Sequence, residues 1–390
     1  MSINPQSNEN IFIISVSWLR SQYPYGACYT QSSDADFARC RSAIGKMELP
    51  ANIRSHRQAT IASYQNISIS HDSRAVMSMY SHWASNVHVQ GIKDKATSKL
   101  MAAWQFKGLV LIDVWSEYYC VLEKDQFRMF KINGGNEQVF KVPVRVADGI
   151  YGYRRHHCVS REARMYGHYL YYVSESSSDS NNKSALLKIN LKNAMKSETE
   201  IRHTTLVTYN VVTFAADCKN PNFVWSISSD GKLISNTRQI SKLVQPKGMK
   251  EIINSMDVMG GRLMTSSFII IDSPVENTSH SYTLYRLFST RGKLLDILNT
   301  KPNENTDDVN LMRFCRVRKC LIMSATTLRN NLSIMIVHRS KIHAIAMQIV
   351  VSTSKLDQIL SLAIDQTSTE KAVIVIGGFY EMLFRISIQV

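Results

Sequence analysis

The chain has 390 residues, of which 44% are hydrophobic and 20% charged, a balance that predicts a packed globular protein and excludes global disorder. Its formal net charge is +15, and the excess of Lys and Arg is spread along the chain, which favours a positive surface over a single basic arm. No apolar run approaches the roughly 20 residues that span a bilayer, and the polar start, Met1 to Asn10, lacks a basic stretch. We therefore expect an intracellular protein, in the nucleus or the cytoplasm, with no membrane contact.

Seven cysteines are scattered through the chain, and none belongs to a CxxC pair. Such a set predicts reduced thiols rather than a disulfide framework or a zinc site. The sequence also lacks a glycine-rich phosphate loop and the HExxH and GxSxG motifs. We therefore predict no metal, no cofactor and no catalytic residue, and a protein that is not an enzyme.

The first predicted element is a strand from Ile11 to Val16, an isolated apolar run with no local partner. The segment 21–58 follows it as an insertion before the main β region. Asp34 suits the N-cap of a short helix over 35–47, and a surface loop with a turn or two of helix is the alternative. This insertion is a candidate docking appendage.

From about residue 59 onward, short β-type runs alternate with turn residues. The runs form clusters of about four strands, spaced roughly 40 to 50 residues apart, which is the spacing typical of propeller blades. The predicted strands are, in chain order, 67–69, 75–80, 87–89, 100–104, 109–115, 118–122, 127–132, 139–142, 168–173, 186–191, 211–216, 223–227, 233–235, 263–271, 282–288, 294–298, 311–317, 320–324, 332–337, 342–350, 359–364, 372–376 and 382–388.

The last cluster has three strands where the others suggest four. A closed set of blades is commonly completed by a terminal strand, which also removes an exposed sheet edge. We therefore expect the strand at Ile11 to Val16 to close the C-terminal blade. The predicted fold class is all-β, a single β-propeller domain over 1–390 with seven blades, six being compatible with the same pattern.

The strand clusters, together with the turn Ser228-Ser229-Asp230-Gly231-Lys232 after Val224-Trp225, resemble the WD-repeat type of propeller. The resemblance is one of architecture over most of 59–390. No Trp-Asp dipeptide occurs, and the Gly167-His168 pair does not recur from blade to blade, so no family site residues are carried over. What the resemblance implies is a rigid platform with loops on two faces, used mainly to hold proteins together.

A dense basic patch is a candidate partner-binding site. It consists of Arg154, Arg155 and His156, followed by His157 and Cys158. Adjacent histidines point to opposite faces of an extended segment, which disfavours a metal site. The pattern favours a solvated or partner-facing loop, because arginine is common both at protein interfaces and at RNA contacts.

A second basic cluster comprises Arg313, Arg316, Arg318 and Lys319. Period-two alternation puts Arg316 and Arg318 on one face of a strand and Lys319 on the other. A charged edge strand that resists aggregation explains the cluster without a ligand. A positive groove for an acidic peptide or a phosphate is the functional alternative.

The predicted function is a non-enzymatic scaffold subunit of a larger complex, whose partners are protein subunits with acidic surfaces. The alternative is a nucleic-acid or ribonucleoprotein component that contacts an RNA or DNA backbone, which the net charge of +15 suggests. A propeller enzyme with its site at the mouth of the channel is a third hypothesis, and no motif supports it.

Overall fold

The structure is a computed structural model. It describes residues 13–18, 28–30, 63–69, 74–81, 84–91, 100–106, 109–123, 125–131, 138–142, 163–174, 184–196, 203–207, 210–217, 219–236, 238–244, 249–273, 278–299, 309–317, 320–327, 331–338, 340–350, 359–365, 369–378 and 383–389.

These residues are almost entirely β-strand. The strands of the first half are β1 (Ile13–Trp18), β2 (Cys28–Thr30), β3 (Ser63–Ile69), β4 (Arg74–Ser81), β5 (Ala84–Gly91), β6 (Leu100–Phe106), β7 (Leu109–Trp115), β8 (Tyr118–Glu123), β9 (Gln126–Lys131), β10 (Gln138–Lys141), β11 (Ala163–Tyr166), β12 (Tyr169–Val173), β13 (Leu186–Asn190) and, after the short helix α1 (Leu191–Ala194), β14 (His203–Val207). Those of the second half are β15 (Val211–Ala216), β16 (Val224–Ser228), β17 (Lys232–Ser235), β18 (Arg238–Lys242), β19 (Lys250–Met259), β20 (Arg262–Ser273), β21 (Thr278–Ser289), β22 (Leu294–Asn299), β23 (Val309–Val317), β24 (Cys320–Thr327), β25 (Asn331–His338), β26 (Lys341–Val350), β27 (Ile359–Asp365), β28 (Lys371–Gly378) and β29 (Leu383–Gln389).

Within the described residues the strands form seven sheets. In five of them consecutive strands are neighbours, so each of the five is a meander built from one stretch of chain, whereas the other two each add an N-terminal strand, β1 or β2, to a C-terminal meander. The orders are β3-β4-β5-β6, β10-β9-β8-β7, β11-β12-β13-β14, β15-β16-β17-β18, β19-β20-β21-β22, β2-β26-β25-β24-β23 and β1-β29-β28-β27. The number of blades stays a prediction.

The N-terminal strand β1 completes the C-terminal sheet. It pairs antiparallel with β29, in a register that runs from Ile13 opposite Gln389 to Trp18 opposite Phe384. The predicted closure is therefore confirmed, with the strand two residues further along than the sequence suggested. This pairing supplies partners to backbone groups of β29 that would otherwise form an open edge.

Strand β2 lies inside the segment that we interpreted as an insertion. It pairs antiparallel with β26, with Cys28 opposite Val350 and Thr30 opposite Gln348. At least this part of 21–58 therefore joins a sheet. The predicted helix over 35–47 lies outside the described residues.

The chain divides into two compact units. One comprises Gly108–Met312 and Arg339–Ile342, and the other comprises Met1–Lys107, Arg313–His338 and His343–Val390. The first unit contains four successive sheets, from β7–β10 to β19–β22. A single domain over the whole chain stays a prediction.

Face-to-face packing of successive sheets builds the core of the first unit. On β12, Tyr172 packs against the preceding sheet and Tyr171 against the following one, and both are fully buried. On β16, Val224 belongs to the apolar cluster on one side and Trp225 to the cluster on the other. This alternation follows from the period of two in a strand, and it buries the middle sheets on both faces. Each large apolar side chain so buried contributes about 1.5–3 kcal/mol.

A glycine permits one close approach between sheets in this unit. Gly292, in the turn between β21 and β22, has φ +85°, and a Cβ atom there would lie 2.7 Å from the carbonyl oxygen of Ile240. Only glycine fits both the backbone angle and the space. The turn can therefore lie directly against β18 of the preceding sheet.

Candidate functional site

Two of the sequence-predicted basic residues lie in strand β23. Arg316 is exposed, whereas its neighbours Cys315 and Val317 are buried, and Arg313 is half-buried. β23 is the terminal strand of its sheet, which agrees with the interpretation of a charged edge. Arg154, Arg155, His156, Arg318 and Lys319 lie outside the described residues, so the role of both clusters in partner binding stays a prediction.

A different cationic group is well defined in the first unit, and the sequence analysis did not identify it. We call it the Lys188 cluster and define it as His168, Tyr169, Lys188, Lys192 and Asn222. His168 lies in the turn between β11 and β12, Lys192 in α1, and Asn222 in the loop between β15 and β16. The cluster therefore combines two neighbouring sheets.

Strand pairing brings the lysine and the tyrosine together. In the β12–β13 ladder, Tyr171 is opposite Lys188 and Tyr169 is opposite Asn190. Tyr169, Tyr171 and Lys188 consequently point to the same face of the sheet, the one that packs towards β15–β18. A lysine side chain easily reaches the diagonal position of such a pair.

The ammonium group of Lys188 is held by three contacts. Its Nζ lies 3.9 Å from the centroid of the Tyr169 ring and 5.9 Å from that of Tyr171. It also donates a hydrogen bond to Asn222 Oδ1 at 2.6 Å. Cation–π contacts and a charge-assisted hydrogen bond of this kind fix the position of an otherwise flexible charge.

The loop that carries Asn222 is itself ordered by backbone bonds. Phe223 N–H donates to the carbonyl oxygen of Asn220 at 2.9 Å, and Asp217 N–H donates to that of Phe223 at 3.1 Å. The buried Tyr171 hydroxyl donates to the carbonyl oxygen of Pro221, which ties the loop to the preceding sheet. Asn222 is thus presented to Lys188 by a fixed turn.

The Lys188 cluster carries the positive charges of Lys188 and Lys192 close to His168. Burial lowers the pKa of Lys188 below its ordinary value. The pKa of His168 is also lowered, mainly by burial and then by the charges of Lys192 and Lys188, so His168 is neutral at neutral pH. An approaching anion would meet the charges of both lysines at this place.

An apolar side chain is exposed in the loop that carries Asn222. Phe223, next to Asn222 in the chain, is 48% exposed, and its ring stacks on Trp225 with 6.4 Å between centroids. Trp225 is only 4% exposed, and its Nε1 donates to the carbonyl oxygen of Thr290 at 3.0 Å. Trp225 therefore holds an exposed aromatic ring on the face of β16 that packs towards β19–β22.

The described part of the chain contains no candidate metal site. None of its His, Cys, Asp and Glu side chains form a group of three that could hold a metal ion. No helix among the same residues is long and apolar enough to cross a bilayer.

Comparison with solved structures shows which fold the chain has. No protein-family model matches the chain, and no curated protein matches it in sequence. A chain in the Saccharomyces cerevisiae structure of Dbp5 bound to Nup159, Gle1, IP6 and ADP matches with a TM-score of 0.58 and 10% identity, over 97% of this chain and 96% of that chain. The crystal structure of the N-terminal domain of Nup159 matches with a TM-score of 0.53 and 11% identity, over 97% of this chain and 96% of that chain. A chain of the COPII outer coat vertex on membranes matches with a TM-score of 0.57 and 10% identity, over 85% of this chain and 84% of that chain.

These likenesses, together with successive four-stranded meanders and a closing N-terminal strand, decide the architecture. The fold is a β-propeller. The predicted all-β class and the architectural resemblance to WD-repeat-type propellers are confirmed. At about 10% identity the likeness extends to the fold only.

The propeller topology explains where the Lys188 cluster lies. Strands alternate in direction, so the connection from the first to the second strand and the connection from the third to the fourth emerge at the same end of each sheet. His168 and α1 therefore share one end of sheet β11–β14, and the hydrogen bond to Asn222 brings the corresponding loop of the next sheet to the same place. Loops at the ends of a rigid scaffold are where propellers carry binding residues.

One sequence signal points to this cluster. Lys188 interrupts the apolar run Leu186-Leu187-Lys188-Ile189. Tyr169 and Tyr171 are two residues apart on the preceding strand, so their side chains point to the same face. The signal becomes specific only once the register of the two strands is known.

Proposed function

We propose that this propeller is a non-enzymatic scaffold subunit of an intracellular complex, in the nucleus or the cytoplasm, that holds partner proteins on its loop-bearing surfaces. The observation that carries the proposal is the fold. Solved chains that match 97% and 85% of this one come from assemblies, namely the structure of Dbp5 bound to Nup159, Gle1, IP6 and ADP and the COPII outer coat vertex. A rigid platform with exposed loops suits such a role.

The charge of the chain supports partners with acidic surfaces. The net charge is +15, and complementary charge accelerates encounter and selects partners. Within this proposal, Arg154, Arg155 and His156 form one basic contact region and Arg313, Arg316, Arg318 and Lys319 form another. Exposure of Arg316 on a terminal strand is compatible with such a contact.

Isolation of the tagged full-length chain from cells that naturally produce it tests the proposal. We expect at least one protein to co-purify at a fixed molar ratio and to be released as salt is raised from about 50 to about 200 mM. Retention of a nuclease-sensitive RNA or DNA in place of a protein would favour the nucleic-acid alternative. A chain that elutes alone under all these conditions would contradict the scaffold role.

The insertion can be tested in the same isolation. A variant that lacks residues 31–58 keeps strand β2 in its sheet and removes the rest of the candidate docking appendage. We expect this variant to lose the co-purifying protein. A matched control lacks residues 176–182, a polar segment between β12 and β13, and should keep it. If both variants retain the co-purifying protein equally, residues 31–58 do not dock it.

A further inference from the structure

We propose that the Lys188 cluster is a docking site for an acidic segment of a partner protein. The inference rests on the proposed scaffold function and assigns it a specific surface, made of residues other than those of the two arginine clusters. Every residue that carries it lies in the unit formed by Gly108–Met312.

The first argument is a cation whose position is already fixed. Lys188 Nζ is held between the Tyr169 ring and Asn222 Oδ1, so a ligand carboxylate would not have to immobilise a free lysine side chain. Ordering such a side chain is ordinarily one of the entropic costs of binding. Neither contact neutralises the charge, because an aromatic ring and an amide are both uncharged.

The second argument is charge complementarity. Lys192 is exposed in α1 and acts electrostatically on His168 alongside Lys188, so the two lysines flank the same imidazole. In the neighbouring loop, Asp217 uses its Oδ1 to accept the N–H of Lys219 at 3.0 Å and so is partly engaged with the backbone. The surface therefore presents clustered positive charge, which suits carboxylates spaced along a peptide.

The third argument distinguishes a peptide from a nucleic acid. A single-stranded nucleic acid needs free aromatic faces on which bases can stack. The Tyr169 ring is already occupied, by Lys188 and by the His168 ring at 4.1 Å between centroids. Phe223, the exposed aromatic side chain of the Asn222 loop, stacks on Trp225 and so lies on the other face of β16, where it offers no ring to a strand bound at Lys188.

A fluorescence-anisotropy titration tests the site with the full-length protein. The probe is a labelled synthetic peptide of alternating glutamate and glycine, compared with the same peptide carrying glutamine in place of glutamate and with a labelled oligouridine. We expect the acidic peptide to bind and the Lys188→Glu/Lys192→Glu variant to bind it about tenfold more weakly.

The matched control is Lys131→Glu/Lys141→Glu. Both residues are exposed on β9 and β10 of a different sheet, and the change in net charge is the same. Control and test variants should share the circular-dichroism spectrum and thermal midpoint of the wild type. Equal weakening by the two double variants would show a general charge effect and overturn the proposal, as would binding of the oligouridine in preference to the acidic peptide, or no binding of that peptide at all.

Failure of this inference is distinguishable from failure of the scaffold function. If the protein that co-purifies with the wild type remains bound at full ratio to Lys188→Glu/Lys192→Glu, and the peptide does not bind, the scaffold function stands and the docking site is wrong. If no protein co-purifies with the wild type, the scaffold function itself is wrong.

Discussion

Arg286 and Glu251 form a doubly hydrogen-bonded ion pair inside sheet β19–β22. Their atoms approach at 2.5 Å (Nη1 to Oε1) and 3.1 Å (Nη2 to Oε2), and the two side chains are 4% and 1% exposed. Arg286 also donates to Ser267 Oγ at 3.2 Å and to the carbonyl oxygen of Val244 at 3.0 Å. The pair thus ties β19, β20 and β21 to the segment that leaves β18.

Neutralising the carboxylate should therefore destabilise the protein strongly. Glu251→Gln leaves the buried guanidinium of Arg286 without its counter-charge, and we expect the free energy of unfolding to fall by about 3–5 kcal/mol. Urea denaturation followed by tryptophan fluorescence measures the change. The double variant Glu251→Leu/Arg286→Met removes both charges and should recover most of the loss. A Glu251→Gln protein as stable as the wild type would show that the pair is not desolvated as described.

Two glycines separate the effect of backbone conformation from that of close packing. Gly167 and Gly292 both have positive φ, +59° and +85°, but only Gly292 would place a Cβ atom against backbone, at 2.7 Å from Ile240 O. We expect Gly167→Ala to lower the free energy of unfolding by about 1 kcal/mol. Gly292→Ala should lower it clearly more, because the turn that contains Gly292 must also move away from β18. Thermal unfolding of both variants checks the order. Equal losses of stability in the two variants would contradict the close approach of Gly292 to Ile240.

The turn between β16 and β17 predicts a specific behaviour in acid. The Asp230 carboxylate accepts from Ser228 Oγ and pairs with Lys232 Nζ at 2.7 Å, and hydrogen bonds from Lys232 and then Ser228 lower its pKa to about 2. A lowered folded-state pKa contributes stability above the ordinary value of 3.8, and this stability is lost as the pH falls towards about 2.

Asp230→Asn should consequently be less stable than the wild type at neutral pH, with a difference that shrinks below pH 3.8. Because the Asp230 side chain is 50% exposed, we expect the difference to stay below about 1 kcal/mol. Nuclear magnetic resonance titration of the Asp230 carboxyl gives the pKa directly. A midpoint at or above the ordinary value would refute the turn geometry.

Closure of the C-terminal sheet by β1 predicts a local effect of truncation. Removing residues 1–18 deletes β1 and leaves β29 as the edge of its sheet, so backbone amides of Leu383–Gln389 that face β1 should exchange hydrogen faster. Removing only residues 1–10, which precede β1, should leave exchange in β29 unchanged. Hydrogen–deuterium exchange with mass spectrometry compares the two. Unaltered protection of β29 in the longer truncation would mean that β1 does not pair there.

Apolar patterning was sufficient to predict most strands of this propeller. Continuous apolar runs such as Leu109–Trp115 and 359–364 form strands of the sheets, and the turn at Ser228–Lys232 forms as its residues predict, with Gly231 N–H donating to the carbonyl oxygen of Ser228 at 2.9 Å. The closing strand was predictable for a topological reason, because the final cluster lacked a strand and the N-terminal run lacked a partner.

The strands that the sequence analysis missed lack a clear apolar pattern. β18, Arg238–Lys242, is the terminal strand of its sheet and is largely exposed, so it needs few apolar residues. β19 was missed for the opposite reason. Its Asn254, Ser255 and Asp257 are buried, and these polar residues interrupt what would otherwise be an apolar run.

The Lys188 cluster could not be predicted as a site because its residues are distant in sequence. Tyr169, Lys188 and Asn222 meet only through the pairing of β12 with β13 and the packing of the next sheet's loop. Sequence reasoning favours residues that are dense along the chain, as at Arg154–His156, whereas a propeller assembles its surfaces from loops of neighbouring sheets.

The scaffold role is tested most directly by native mass spectrometry of the full-length chain isolated from its own cells at low salt. The account predicts one dominant species that contains this 44.3 kDa chain and at least one other polypeptide at a fixed ratio. Detection of the 44.3 kDa chain alone, under conditions in which known complexes from the same cells survive, would contradict it.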